Sequence, residues 1–142
     1  MNTNSGTYVL ILGCDRRKRV QVGRWDTVQL ERGFYIYVGS AFGPGGVKAR
    51  VSRHCRKNKK HHWHIDYIRE FLLPLGAWYL HGSEYLEHSW ADSLASLDGY
   101  CSIPGFGCSD CKCDSHLFHS INKPDVKEFS KAAGCSVEYW CC

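Results

Sequence analysis

Between residues 34 and 56 the chain reads FYIYVGSAFGPGGVKARVSRHCR, a stretch that no single regular element can hold. Its middle, GSAFGPGG, puts four glycines and a proline into eight residues, which breaks the periods of both strand and helix. Before that loop, Phe34 to Val38 alternates as a strand, with Tyr35 and Tyr37 on one face and Phe34, Ile36 and Val38 on the other. After it, Val47, Val51 and Cys55 recur at every fourth residue, the buried stripe of a helix over 47–56. Arg50 and His54 form a second such pair beside the stripe, and Arg53 and Lys57 lie farther round, toward solvent. A strand carrying tyrosines must therefore be followed at once by a helix carrying arginines.

The remaining elements are read around this unit. Thr7 to Leu12, TYVLIL, is apolar on both alternating faces, as in a strand covered on two sides, and Arg19 to Val22 is a return strand. HHWHIDYIREFLL reads as a helix stopped by Pro74, and GAWYLHG as a strand. SEYLEHSWADSLASL reads as an amphipathic helix capped by Ser83. Residues 98–119 read as a structured loop, and the tail from Ser120 as a small helix with an aromatic end. The expected fold is α/β of the α+β kind, a small, mainly antiparallel sheet flanked by helices. At 142 residues the chain fits one domain, divided into a functional unit over 1–119 and an extension over 120–142 packed on it.

Charge narrows the function. Residues 1–65 hold 13 Lys and Arg against 3 acids, a net +10, and residues 66–142 hold 5 against 11, a net −6. From Arg32 to Ile65 there are eight basic residues and no acid, a distribution suited to a polyanion or, more simply, to a solvated basic face. No run approaches the roughly 18 apolar residues of a membrane span, and MNTNSGTYVLILGCD has no basic leader or cleavage site, so the expected setting is cytoplasmic with no membrane partner.

Several motifs together carry a resemblance. GTYVL, then YVGSA, then KARVSRH resemble the signature of the GIY-YIG nuclease superfamily, two tyrosine-bearing strands followed by a helix with an arginine. YIYVGSAFGPGGVKARVSRHCR, KKHHWHIDY, YLEHSWAD and PGFGCSDCKCDSHLFH are together similar to a prokaryotic family of that superfamily, seen alone or fused to endonuclease III. The resemblance runs from about Gly6 to His119 and implies a metal-dependent endonuclease acting on DNA with Mg²⁺ or Mn²⁺. Fusion to a repair glycosylase makes repair proteins the expected partners. It implies catalytic roles for Tyr8, Tyr37, Arg50, His54 and Glu87, with Glu87 as the Mg²⁺ ligand; Glu84, one turn earlier, offers the same group. The expected nucleic-acid-binding residues are Gly39, Ser40, Lys48, Arg53, Arg56, Lys57, Lys59, Lys60 and His64.

The chemistry is consistent with these residue types. Phosphodiester hydrolysis needs a base for water, cations for developing charge and usually a divalent ion. Ionising a free tyrosine at pH 7 costs roughly 4 kcal/mol. A guanidinium at about 4 Å and an effective dielectric of about 20 offsets about as much. Glycine at 39 would let backbone and phosphate approach closely. In HHWHIDY, His64 and Asp66 are polar candidates for metal or substrate, while Trp63 and Tyr67 read as packing the core.

Nine cysteines cannot all pair within the chain. Cys108, Cys111, Cys113, His116 and His119 have a spacing that could close a Zn²⁺ site, or they belong to a loop beside the active surface with Asp110 and His116 as polar contributors. Three function classes follow: the nuclease, a catalytically silent nucleic-acid-binding module, and a redox or metal sensor built on the cysteines.

Overall fold

A computed structural model describes residues 1–57, 59–108 and 114–142. The chain forms β1 (Gly6–Cys14), β2 (Lys18–Val22), β3 (Asp26–Leu30), β4 (Gly33–Ala41), α1 (Gly46–Cys55) and α2 (His64–Arg69). It continues with β5 (Leu73–His81), α3 (Glu87–Ser96), β6 (Cys101–Ser102), β7 (Leu117–Ser120), α4 (Val126–Ala133) and β8 (Glu138–Cys141). Six strands make one antiparallel sheet in the order β6-β7-β4-β1-β5-β8, and β2 and β3 pair as a separate hairpin. The expected mainly antiparallel sheet with flanking helices is the observed architecture.

β1 lies at the centre because both of its faces are apolar, and strict alternation divides its residues between two cores. Tyr8, Leu10 and Leu12 face a layer of α1, α2 and the hairpin, packed with Tyr35, Tyr37, Val47, Val51, Ile65 and Ile68. Val9 and Ile11 face the opposite layer, where Ile36, Val38 and Trp78 meet Trp90 and Leu94 of α3 and Phe129 of α4. The tail joins the same body, since β8 pairs with β5 and α4 packs on α3. Among the described residues no helix is long and apolar enough to cross a membrane.

Local chemistry explains where the elements depart from expectation. Gly39 to Ala41 belong to β4, because their ladder with Gly6 to Tyr8 outweighs the glycine, so the loop begins only at Phe42. Residues 26–30 form a strand that the TVQL pattern was too short to announce. Pro74 does not end a helix but lies inside β5, beside the register shift at Ile11/Leu12 where a residue without an N–H is tolerated. α3 starts at Glu87 behind Leu86, with no side-chain cap, so Ser83 does not cap it. Residues 98–119, read as one loop, contribute β6 and most of β7.

The ends of α1 are secured by distant parts of the chain. Gly45 and Gly46 adopt φ of 84° and 59°, and the N–H groups of Val47 and Lys48 donate to the carbonyls of Asn4 and Asn2 at 3.0 and 3.1 Å. A Cβ on Gly46 would overlap the carbonyls of Thr3 and Asn4. The leading residues thus occupy the N-terminus of this helix. At its other end the buried Arg69 guanidinium donates to the carbonyls of His54, Cys55 and Leu72 at 2.5, 2.7 and 3.0 Å. Lys59 Nζ donates to the carbonyl of Arg56 at 2.5 Å. Two cations thereby meet the negative end of the helix dipole and hold the turn that carries His54.

Candidate active site

Tyr8, Tyr37, Gly39, Ser40, Arg50 and Glu87 line one cleft of about 330 Å³, together with residues of the 62–64 stretch, His88, Gly107 and His116. β1 and β4 place Tyr8 directly opposite Gly39, the α1 face turned to the sheet supplies Arg50, and the first residue of α3 supplies Glu87.

The pairing of Tyr8 with Gly39 is steric. A Cβ at position 39 would overlap the Tyr8 hydroxyl and its ring carbon, so glycine is required there by the phenol. The phenol is thus a reason for glycine at 39 that is independent of any approaching phosphate, and Gly39 also lines the cleft.

Beneath the cleft floor, Tyr8 Oη and His54 Nε2 form a buried hydrogen bond of 2.6 Å. His54 is 0% exposed and does not line the cleft, so it reaches a bound group only through Tyr8. Its Nδ1 has no hydrogen-bond partner among the described residues. Burial is the main cause that pushes its pKa down to about 3, which keeps the ring neutral. Burial likewise raises the Tyr8 phenol well above its ordinary range, followed by the charge of Tyr37, while Arg50 pulls it down by less. Tyr37 is raised by burial and by Glu87 and Asp66. The expected offset of phenol ionisation by Arg50 is therefore outweighed: desolvation is the larger effect, and both tyrosines rest as neutral phenols.

Arg50 is held from two sides. Its Nη1 donates to the Ser40 carbonyl at 3.1 Å, and its Cζ lies 4.2 Å from the centroid of the Trp63 ring. Arg53 lies 4.5 Å from the same ring and makes a bidentate pair with Asp66 at 2.8 and 2.9 Å. Asp66 also accepts from the N–H groups of His62 and Trp63 at 2.8 and 2.9 Å. Burial pushes Asp66 up, but the hydrogen bonds from Arg53, Trp63 and His62 outweigh it and leave it below the usual carboxylate range. Arg53, expected toward solvent and phosphate, is thus consumed by Asp66. Asp66 itself, 2% exposed, fixes the 62–63 backbone rather than meeting a ligand.

Glu87 faces the cleft half-buried. Ser40 Oγ donates to its Oε1 at 3.5 Å, and His116 Nδ1 approaches the same oxygen at 3.7 Å. Burial raises Glu87, against smaller lowering contributions from His88, Ser40 and Arg50, and burial lowers His116, so their contact is polar rather than ionic. Glu84 is exposed before the start of α3 and does not line the cleft. One carboxylate accessible from a cleft fits Mg²⁺ or Mn²⁺, which take one or two protein carboxylates and fill the rest with water and phosphate oxygens.

The other expected binding residues scatter. His64 lines the cleft, stacks on Trp25 with centroids 4.7 Å apart, and accepts from the Gly107 N–H at 3.1 Å. That leaves its Nε2 as the protonated nitrogen. Lys48, Arg56 and Lys60 are exposed. Lys59 is turned onto the end of α1, and burial lowers its pKa to about 8. Lys57 lines a different groove with Arg16 and Lys18, away from the cleft. For the zinc spacing, Cys108 is half-buried and His116 turns to Glu87, while Cys111 and Cys113, with Asp110, lie outside the described residues. His119 Nε2 donates to the Arg32 carbonyl at 2.8 Å, at the far end of β7. Among the described residues no three His, Cys, Asp or Glu side chains converge as metal ligands.

Trp63 packs against the core as expected and also carries Arg50 and Arg53 on its ring, a role that 10 and 13 residues of separation reveal only once the turn after α1 is known. Arg69 gave no signal, since its partners are main-chain carbonyls 14 to 15 residues earlier.

A family model described as Domain of unknown function DUF123 matches residues 7–138. No curated protein and no solved structure matches the chain.

Proposed function

We propose that this chain, which belongs to the DUF123 family, is a metal-dependent endonuclease of the GIY-YIG type that hydrolyses phosphodiester bonds in DNA. The observation that carries the reading is the 2.6 Å bond between Tyr8 and His54 under a cleft that also holds Arg50 and Glu87. A binding surface needs cations alone, and a phenol hydrogen-bonded to a buried imidazole under this cleft supports a proton-transfer role instead.

The scissile phosphate lies against Arg50, whose guanidinium is kept in place by Trp63 and the Ser40 carbonyl and meets the charge that develops on the phosphate oxygens. A water beside the phosphate gives its proton to Tyr8 Oη as the phenol passes its own proton to His54 Nε2; the water oxygen bonds to phosphorus, the bond to the leaving sugar oxygen breaks, and that oxygen takes a proton from solvent in the open cleft. The raised pKa of Tyr8 is then no obstacle, because a free phenolate never has to exist in the buried floor. The imidazolium formed on His54 is the costly species of this step, because burial disfavours it, and Asp66 offsets only part of that cost. Glu87 would hold the divalent ion, which when bound supplies Lewis-acid stabilisation of the phosphate. Tyr37, at 5.8 Å centroid distance edge-on to His54, shapes the floor beside it.

The second reading is a module that binds nucleic acid without cutting it, favoured by the low pKa of His54 and the raised phenols. The test is incubation of purified protein with flapped, branched, damaged and plain duplex DNA plus Mg²⁺ or Mn²⁺. Cleavage that is lost in Tyr8→Phe and Arg50→Ala supports the nuclease. Salt-dependent binding with no cleavage of any substrate supports the module.

A further inference from the structure

Beyond the residues that line the cleft, the segments carrying Ser40 and Glu87 bring together an aromatic pair that the hydrolytic reading leaves unused. Tyr85 is 78% exposed, an unusual position for a large ring, and its ring lies 4.4 Å from that of Phe42 at 35°. Both rings grow from segments that build the site. Phe42 follows Ser40 by two residues and precedes Gly43, whose Cβ position lies 4.0 Å from Arg50 Nη2. Tyr85 precedes Glu87 by two residues, and Ser40 and Glu87 face each other at 3.5 Å.

A half-buried Phe42 behind it stiffens Tyr85 and leaves the rest of the phenol ring to solvent. A flat ring on Phe42, next in the chain to the Gly43 that lies beside the Arg50 guanidinium, matches a nucleotide whose phosphate and base are read together. Bases in an intact duplex are already stacked on their neighbours and offer no open face.

We infer that Phe42 and Tyr85 form a stacking platform for an unpaired nucleobase next to the phosphate held at Arg50, which makes single-stranded or branched nucleic acid the substrate class. This rests on the reading of Arg50 as the phosphate-binding group.

The test is binding with EDTA present, so that cleavage plays no part. Fluorescence anisotropy is measured on a single-stranded oligonucleotide, a flapped duplex and a plain duplex, with 2-aminopurine in the single-stranded positions as a stacking reporter. Tyr85→Ala should weaken the first two by about five- to a hundred-fold and leave the plain duplex unchanged. Tyr85→Trp should restore affinity and quench 2-aminopurine. Equal affinity of Tyr85→Ala and wild type for all three, or an equal loss on all three, overturns the platform while leaving nucleic-acid binding intact. If the wild type binds none of them, the reading of Arg50 falls and the platform with it. Because Tyr85 is on the surface, circular dichroism of Tyr85→Ala should match the wild type, which separates lost contact from lost fold.

Discussion

The two faces of the central sheet are built from alternate residues of the same strands, yet they have become different kinds of interior. On one, Val9, Ile11, Ile36, Val38 and Trp78 meet Trp90, Leu94 and Phe129, and every one of these side chains is hydrophobic. On the other, Tyr8, Leu10, Tyr35 and Tyr37 pack under α1 with a buried histidine among them. The first face gains stability from burial without condition. The second uses burial to shift protonation, so its contribution depends on pH. Two interiors packed on the same strands thus split into a structural and a chemical half.

Acid should separate the halves most. Free histidine titrates near 6.5 and His54 near 3, so the unfolded chain binds more protons between those values and stability falls as pH drops through that window. The loss by pH 3 is about 5 kcal/mol. Asp66, held low, adds a loss of the same sign at the acid end, and Glu87, held high, opposes it. Urea unfolding at pH 7, 5 and 4 should show this slope in the wild type and a flatter one in His54→Gln. An identical slope in both would erase the distinction between the faces.

Phe129→Ala comes next, with a cost of about 3–5 kcal/mol from a cavity on the apolar face. Its pH slope and its nucleic-acid affinity per folded molecule should match the wild type. Arg50→Ala should do the reverse, leaving the urea midpoint nearly unchanged while any cleavage rate falls about a hundred- to a thousand-fold. Lysine at 50 should not restore it, since an ammonium lacks the planar group that lies on Trp63. Asp66→Asn is the smallest, about 2 kcal/mol of stability from weakened charged hydrogen bonds to Arg53. The indole fluorescence of Trp63 should shift as its neighbouring guanidinium loosens.

What could be read from the chain beforehand follows the same division. Alternation located β1, β4 and the sheet-facing stripe of α1, because period and burial are local properties of residues 7–12, 34–38 and 47–55. The motifs brought Tyr8, Tyr37, Arg50 and Glu87 to one cleft. The reasons behind them were not local. Arg53 reads as a solvent cation until Asp66, 13 residues on, is seen to accept from it. Short strands such as β3 and β7 have too few residues for a period, and Pro74 reads as a stop unless the bulge beside it is known. Phenol acidity is not legible in the chain, because a charge at a known spacing is visible in a sequence and desolvation is not.

The overlap that a side chain at position 39 would make with the phenol across the ladder ties two distant codons together. Substitution at 39 is blocked for as long as tyrosine stands at 8, and trimming only the hydroxyl does not lift the block because the ring carbon is also in the way. Any mutational route out of this arrangement must start by shrinking residue 8, so the order of events is dictated by geometry rather than by chance.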